Sequence, residues 1–239
     1  MDLQNQANLR QSGVVTLLTR PAPFRLAALS PIDQLRAGGL GRRVPQLLVG
    51  LTLYGFSMAM MVRAGLGLNP WDVLHQGLAA YLPLSFGAVT VVVGVVVLLL
   101  WIPLRQWPGL GTVANVFVIG VTVDLGLALI SAPDHLVSRI ALLLGGVVLN
   151  GLAGAVYIGS QLGPGPRDGL MTGLAARTGV SLRLLRTGIE LAVLGTGFLL
   201  GGTVGVGTVL YAVSIGPLVQ LFLPWVAVRL PGRRPTDRT

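Results

Sequence analysis

LNPWDVLHQGLA, residues 68–79, interrupts an almost wholly apolar chain with an aspartate, a histidine and a proline, and PGPRDGLMTGLA, residues 164–175, does so again 96 residues later. Residues 67–80 and 163–176 share eight identities in fourteen positions: Gly67/Gly163, Pro70/Pro166, Asp72/Asp168, Leu74/Leu170, Gly77/Gly173, Leu78/Leu174, Ala79/Ala175 and Ala80/Ala176. Chance in a chain this rich in Leu, Gly, Val and Ala gives about one or two, and a fixed offset is the mark of an internal repeat. The offset persists without a gap. Ser85 matches Ser181, GLGTV at 109–113 matches GVGTV at 205–209, and Gly120 matches Gly216. The sequence reads as two copies of one unit.

Composition identifies the solvent. Charged residues make up 10% of the 239 and hydrophobic ones 53%, against roughly 25% charged in an ordinary soluble domain. Water cannot be the medium for most of this surface, and the lipid bilayer is the first partner expected. All 17 basic residues are arginine, and the net charge of +9 is concentrated before residue 44 and after Arg229. Arginines beside a membrane are drawn to anionic lipid, so nucleic acid is not the expected partner. Without cysteine there is no disulfide, no thiolate nucleophile and no thiolate metal site.

A spanning helix needs about 20 apolar residues. Six segments qualify, at about 45–64, 85–104, 110–131, 138–160, 183–200 and 206–228. GGTVGVG at 201–207 separates the last two by a turn. The stretch from Pro70 to Pro83 is too short to cross and is expected to re-enter or lie at the interface. Each copy then carries three spans and one short helix, and an odd number of crossings inverts the second copy against the first. The expected fold is all-α and membrane-embedded: a polytopic bundle of six transmembrane helices in two inverted repeats, 44–134 and 135–230. A basic, partly disordered cytoplasmic leader (1–43) and a basic cytoplasmic tail (231–239) flank it.

Arginine placement supports this arrangement. With both termini inside, 15 arginines fall on the cytoplasmic side and only Arg63 and Arg139 fall outside, as the positive-inside rule asks. Letting the short helices cross gives 14 against 3, so the comparison between copies is sharper. Arg167, Arg177, Arg183 and Arg186 match Trp71, Tyr81, Gly87 and Thr90, while Arg105 matches Gly201. Charge is exchanged between copies as inversion requires.

GLGLNPWDVLHQGL, GPGPRDGLMTGLAARTG, LRLLRTGIE and GGTVGVGTVLYAVSIGPLVQ resemble the YczE/YyaS/YitT group of bacterial integral membrane proteins, most of all its YczE-like branch, over about residues 45–228. The resemblance implies a multi-pass protein of the bacterial plasma membrane and names no activity.

Two readings attach to the repeated motif. Asn69 suits an N-cap, Pro70 the first helical turn and Asp72 the third, with Gly165, Pro166 and Asp168 repeating the pattern, which is sufficient to start a helix. Paired broken segments at matching places in inverted repeats also point to a substrate pathway, and that reading gathers Asn69, Pro70, Asp72, His75, Pro166, Arg167 and Asp168 into one site. Arg186 and Glu190, four residues apart on one helix face, are either a structural ion pair or part of the pathway. Asp124, alone in its span with Gln220 as its match, is a third candidate, because ionisable groups in spans are costly. Asn150, Gly197, Gly201 and Gly205 read as helix-to-helix contacts.

H-E-x-x-H, G-x-S-x-G and G-x-x-x-x-G-K-[ST] are all absent from the sequence. No enzyme, cofactor or metal is expected. The leading reading is a small secondary transporter of an unspecified small molecule or ion, with its pathway at the repeat interface. The alternative is a non-transporting membrane scaffold or assembly factor. A chain of 24.9 kDa is small for a lone transporter and leaves room for a homodimer.

Overall fold

In hydrocarbon a backbone must satisfy its own hydrogen bonds, and a helix does so within one segment. A computed structural model describes residues 29–230, and every regular element there is helical. The elements are α1 (Pro31–Arg36), α2 (Leu40–Ala64), α3 (Pro70–Ala79), α4 (Phe86–Leu104), α5 (Leu110–Leu129), α6 (Leu136–Gly159), α7 (Pro166–Thr178), α8 (Leu182–Leu199) and α9 (Val206–Val226). Adding 96 to the first residues of α2–α5 lands on the first residues of α6–α9. The start signals recur as well. Ser85 caps α4 by accepting from the Ala88 amide at 3.0 Å, and Ser181 caps α8 by accepting from the Leu184 amide at 3.3 Å. Gly109 and Gly205 both donate to a threonine three residues on, Thr112 and Thr208, at 3.2 Å.

Five helices, α2, α4, α5, α6 and α9, are long and apolar enough to cross a membrane, with mean hydropathy from 1.5 to 2.6. This is a helical membrane protein. The segment expected as a sixth span forms α8, whose 18 residues include Arg183, Arg186 and Glu190, and those charges keep it out of that set. α3 and α7 have 10 and 13 residues, roughly 15 and 20 Å of helix, too short to cross.

α1 and the first turn of α2 lie inside the stretch read as a leader, because Arg43 is fully buried and built into the fold. Residues 1–28 and 231–239, with the expectation of a disordered arm and a basic tail, lie outside the described residues.

Arg43 shows how the copies are joined. At the start of α2, its guanidinium donates to the Ser160 and Gln161 carbonyls at the end of α6, at 2.8 and 2.6 Å. Arg139, its match at the start of α6, donates to the Ala64 and Gly65 carbonyls at the end of α2, at 2.7 and 2.8 Å. Both the donors and the acceptors are 96 residues apart. α2 and α6 therefore run antiparallel, each giving a cation to the orphan carbonyls and negative dipole end of the other. Close approach along the pair follows the same reciprocity. A Cβ on Gly50 would lie 2.6 Å from the Tyr157 nitrogen, and one on the matching Gly146 would lie 2.9 Å from Cγ of the matching Met61. Both arginines assigned outside by charge counting are accounted for here, since Arg63 donates to the Leu127 carbonyl.

The loops ahead of the short helices cross over. The Gly207 amide, opening α9, donates to Leu66 at 2.8 Å, and the Gly111 amide, opening α5, donates to Leu162 at 2.7 Å. Gly67 and Gly163 turn these loops with φ of 116° and 130°. Only glycine fits, because a Cβ on Gly67 would lie 2.7 Å from the Gly205 nitrogen and one on Gly163 2.8 Å from Thr112 Oγ1.

Away from these contacts the copies differ. Gly87 and Gly120 bring α4 and α5 into backbone contact, a Cβ on Gly120 lying 2.8 Å from the Gly87 carbonyl. Their matches are Arg183 and Gly216, and a Cβ on Gly216 would meet nothing within 4 Å. α8 and α9 stand apart, and α8 buries only Gly197.

Candidate functional site

Both short helices point their N-termini into one cavity. Asn69 closes α3 by accepting from the Trp71 and Asp72 amides at 3.1 and 3.0 Å, and Pro70 sits in the first turn, where its missing N–H costs nothing. At α7 the cap position is Gly165, which offers no side chain. The cavity between them has a volume of about 520 Å³, within the range of small-molecule sites. Its wall draws on α2 (Tyr54), α4 (Thr90, Val97), α6 (Asn150, Tyr157), α8 (Arg186, Glu190) and α9 (Tyr211, Gln220) as well as the two helix starts.

The charges divide into groups. Asp72, with no exposed surface, receives a hydrogen bond from Asn69 Nδ2 at 2.5 Å, and its Oδ1 lies 3.4 Å from His75 Nδ1 and 4.0 Å from Arg167 Nη2. Arg167 also lies over the Trp71 ring, 4.8 Å from its centroid. Trp71 and Arg167 are matching residues of the two copies, so matching positions meet here. His75 is buried beside Thr90, at 3.3 Å, and the edge of Phe86. Burial pushes its imidazole below the ordinary value, with Asp72 opposing. Arg186 and Glu190 form a half-exposed pair at 3.0 Å. Asp168 is open to the cavity yet surrounded by helices, which raises its carboxyl above the ordinary value while Arg186 and Arg167 pull it back.

A polar chain crosses the cavity from α9. The Tyr211 hydroxyl donates to Asn150 Oδ1 at 3.0 Å, Asn150 Nδ2 donates to Ser57 at 2.8 Å, and the Ser57 hydroxyl donates to the Tyr54 carbonyl at 2.6 Å. Below α7, Trp101 lies against Gly169 and its indole donates to the Pro166 carbonyl at 3.0 Å, fixing the start of that helix.

A family model described as a family of unknown function, DUF6198, matches residues 41–224. A Haemophilus influenzae protein described only as uncharacterized is 42% identical over 185 residues, covering 77% of this chain and 84% of its own length. The Bacillus subtilis protein YczE, described as an uncharacterized membrane protein, is 32% identical, with 73% and 82% covered, and YyaS from the same organism is 27% identical, with 74% and 90% covered. The chain belongs to the YczE-like family. No solved structure matches it.

In this YczE-like chain, eight of the ten residues singled out from sequence line the cavity: Asn69, Pro70, His75, Pro166, Arg167, Asp168, Arg186 and Glu190. Asp72 lies behind the wall, holding Arg167 and His75. Asp124 is elsewhere. It accepts from Ser85 Oγ at 2.5 Å and from the Gly87 amide at 2.7 Å, fastening α5 to the start of α4, while its match Gln220 does line the cavity. Asn150 is both a contact between helices and part of the wall. Of the three small residues, Gly197 and Gly205 meet the α3 backbone and the loop before it, while Gly201 serves a turn, with φ of 87° and open space around it. Sequence reading missed the tyrosines at 54, 157 and 211. Their hydroxyls inside spans were the available signal.

Proposed function

We propose that the protein is a small secondary transporter of the bacterial plasma membrane, built from two inverted repeats with six crossings and both termini cytoplasmic. The observation that carries the reading is the meeting of two short-helix starts, one from each copy, in one cavity furnished with charged side chains. Broken helices ending at mid-depth on a repeat interface are a recurring form of substrate site. The antiparallel packing of α2 and α6, with reciprocal arginine caps, supports inversion, because matching helices related by an axis in the membrane plane must run in opposite directions. α8 completes the second copy as the match of α4, and Arg186 and Glu190 face the cavity along it. The two copies differ where alternating access needs them to. α4 and α5 are sealed by glycines on one side, and the cavity reaches the α8–α9 gap on the other, lined there by Val219 and Gln220.

Reconstitution into proteoliposomes and a screen of labelled metabolites for uptake or exchange tests the proposal. A transporter shows saturable uptake of at least one solute that Tyr211→Phe with Asn150→Ala weakens. Absence of uptake across cationic, anionic and neutral solutes, in protein shown to be folded, would sink it in favour of a non-transporting scaffold.

A further inference from the structure

The two aspartates of the repeat are identical in sequence and opposite in circumstance. Asp72 has three polar neighbours: Asn69 donates to its Oδ2, while His75 and Arg167 lie 3.4 and 4.0 Å from Oδ1, which accepts no hydrogen bond. Moved by 96 residues, those neighbours become Gly165, Met171 and Trp71. Every side chain that neighbours the first carboxylate is matched in the other copy by one that carries no charge. Asp168 has the Gly165 amide at its own helix start, with Arg186 and Arg167 acting on it from farther off, and among the described residues no basic side chain lies within 4.0 Å of it.

The cations of the wall are already engaged. Arg186 is held by Glu190 at 3.0 Å, and Arg167 by the Trp71 face and by Asp72. Among the described residues lining the cavity, the one charged group without an ion pair is therefore negative. Resting on the transport reading above, we infer that Asp168 is the cargo-binding carboxylate and that the cargo is a small organic molecule carrying a protonated amine, while Asp72 is a fixed structural counter-charge.

Three features favour an organic ammonium over an inorganic ion. The cavity of about 520 Å³ is far larger than a dehydrated cation requires. Its wall includes the rings of Tyr54, Tyr157, Trp71 and Tyr211, surfaces that suit an alkyl or aromatic body and attract a cationic head. Among the described residues no group of three or more His, Cys, Asp or Glu side chains comes together, so the site offers one carboxylate to one positive charge. A charge-assisted hydrogen bond of this kind is among the stronger contacts available to a small ligand.

Three probes matched in size and differing in charge test this: 2-phenylethylamine, phenylacetate and 2-phenylethanol. The purified full chain is treated with a carbodiimide and a small nucleophile, and amidation of each aspartate is followed by mass spectrometry. Asp168 is expected to react and Asp72 to stay unmodified. In competition against radiolabelled 2-phenylethylamine, the unlabelled amine should bind about tenfold or more tightly than the other two probes, the ratio that one lost charge contact gives. Asp168→Asn should abolish binding of radiolabelled amine, and Asp168→Glu, which keeps the charge, should retain part of it. Equal competition by all three probes, no binding of the amine, preferential modification of Asp72, or unchanged amine binding in Asp168→Asn would each overturn the assignment. Uptake into proteoliposomes is scored separately. An amine that binds at Asp168 and is never carried refutes transport and leaves the site standing. A solute carried at a rate indifferent to Asp168→Asn refutes the site and leaves transport standing.

Discussion

Arg43 and Arg139 occupy matching positions and cap matching helix ends, yet the structure assigns them very different stabilities. The Arg43 guanidinium has no exposed surface and makes four bonds: two in fully buried surroundings, to the Ser160 and Gln34 carbonyls at 2.8 and 2.6 Å, and two in half-buried ones, to Gly38 and Gln161 at 3.1 and 2.6 Å. Arg43→Met keeps the stem and removes every donor. Each buried carbonyl left without a partner costs about 1–3 kcal/mol, so the two buried acceptors alone give about 2–6 kcal/mol. The half-buried pair adds little, because water can replace the guanidinium there. Arg139 makes two bonds, one half-buried and one exposed, and the same substitution should cost about 1 kcal/mol. With roughly 2–4 °C of Tm per kcal/mol in a chain of this size, Arg43→Met is expected to melt about 4–24 °C below wild type and Arg139→Met within about 4 °C of it. Thermal unfolding in detergent, followed by intrinsic tryptophan fluorescence, reads both. Equal shifts, or a larger shift at Arg139, would refute the claim that burial decides the difference between the two caps.

Matching exposed positions at the far ends of the short helices, Tyr81 and Arg177, test inversion. In a chain without native cysteine, Tyr81→Cys should react with an impermeant maleimide from outside intact spheroplasts and Arg177→Cys only after permeabilisation. Labelling of both from one side ends the inverted reading. Asp72→Asn removes the counter-charge of a buried site and should lower Tm by several degrees, whereas Asp168→Asn should leave Tm within about 3 °C of wild type. A reversed order in the same melting assay would contradict their division of roles. Glu190→Gln leaves Arg186 without its 3.0 Å partner and should reduce the amount of folded protein recovered from membranes, and Arg186→Gln with Glu190→Gln should restore much of it. A double variant as poorly recovered as the single one shows that the pair is not self-contained.

How far the sequence could be read depended on where the chain needs a particular backbone. Gly67 and Gly163 hold positive φ at a close crossing, the GxGT starts of α5 and α9 need a small residue beside the other copy's loop, and Pro70 and Pro166 open short helices. These demands fall on the main chain, tolerate few residue types and so leave identities that an offset of 96 exposes. The arginine caps left no such trace. Arg43 and Arg139 stand in otherwise dissimilar surroundings, one read as part of a basic leader and the other as a lone charge outside, because a guanidinium reaching a carbonyl across a helix pair constrains none of its sequence neighbours. α8 was legible as the match of α4, and its charges, two of which line the cavity, lower its hydropathy below that of the other long helices.

The differences inside the repeat carry as much information as the identities. A structural contact made between the copies by backbone atoms, such as Gly111 to Leu162 and Gly207 to Leu66, survives almost any change of side chain, so both members persist. A contact made by side chains persists only where both partners are kept. Around Asp72 the partners are present, and around Asp168 they are not. Between α4 and α5 the glycine pair is present, and between α8 and α9 an arginine replaces one member. The losses leave Asp168 and the α8–α9 pair of the second copy without the contacts that their matches keep. Asp168 and the Arg186–Glu190 pair all face the cavity, and Arg183 stands at the same end of α8. A purely architectural repeat gives no reason for partners to be lost on one side of the interface only. A pathway does, because its charges must be free to meet something that is not part of the protein.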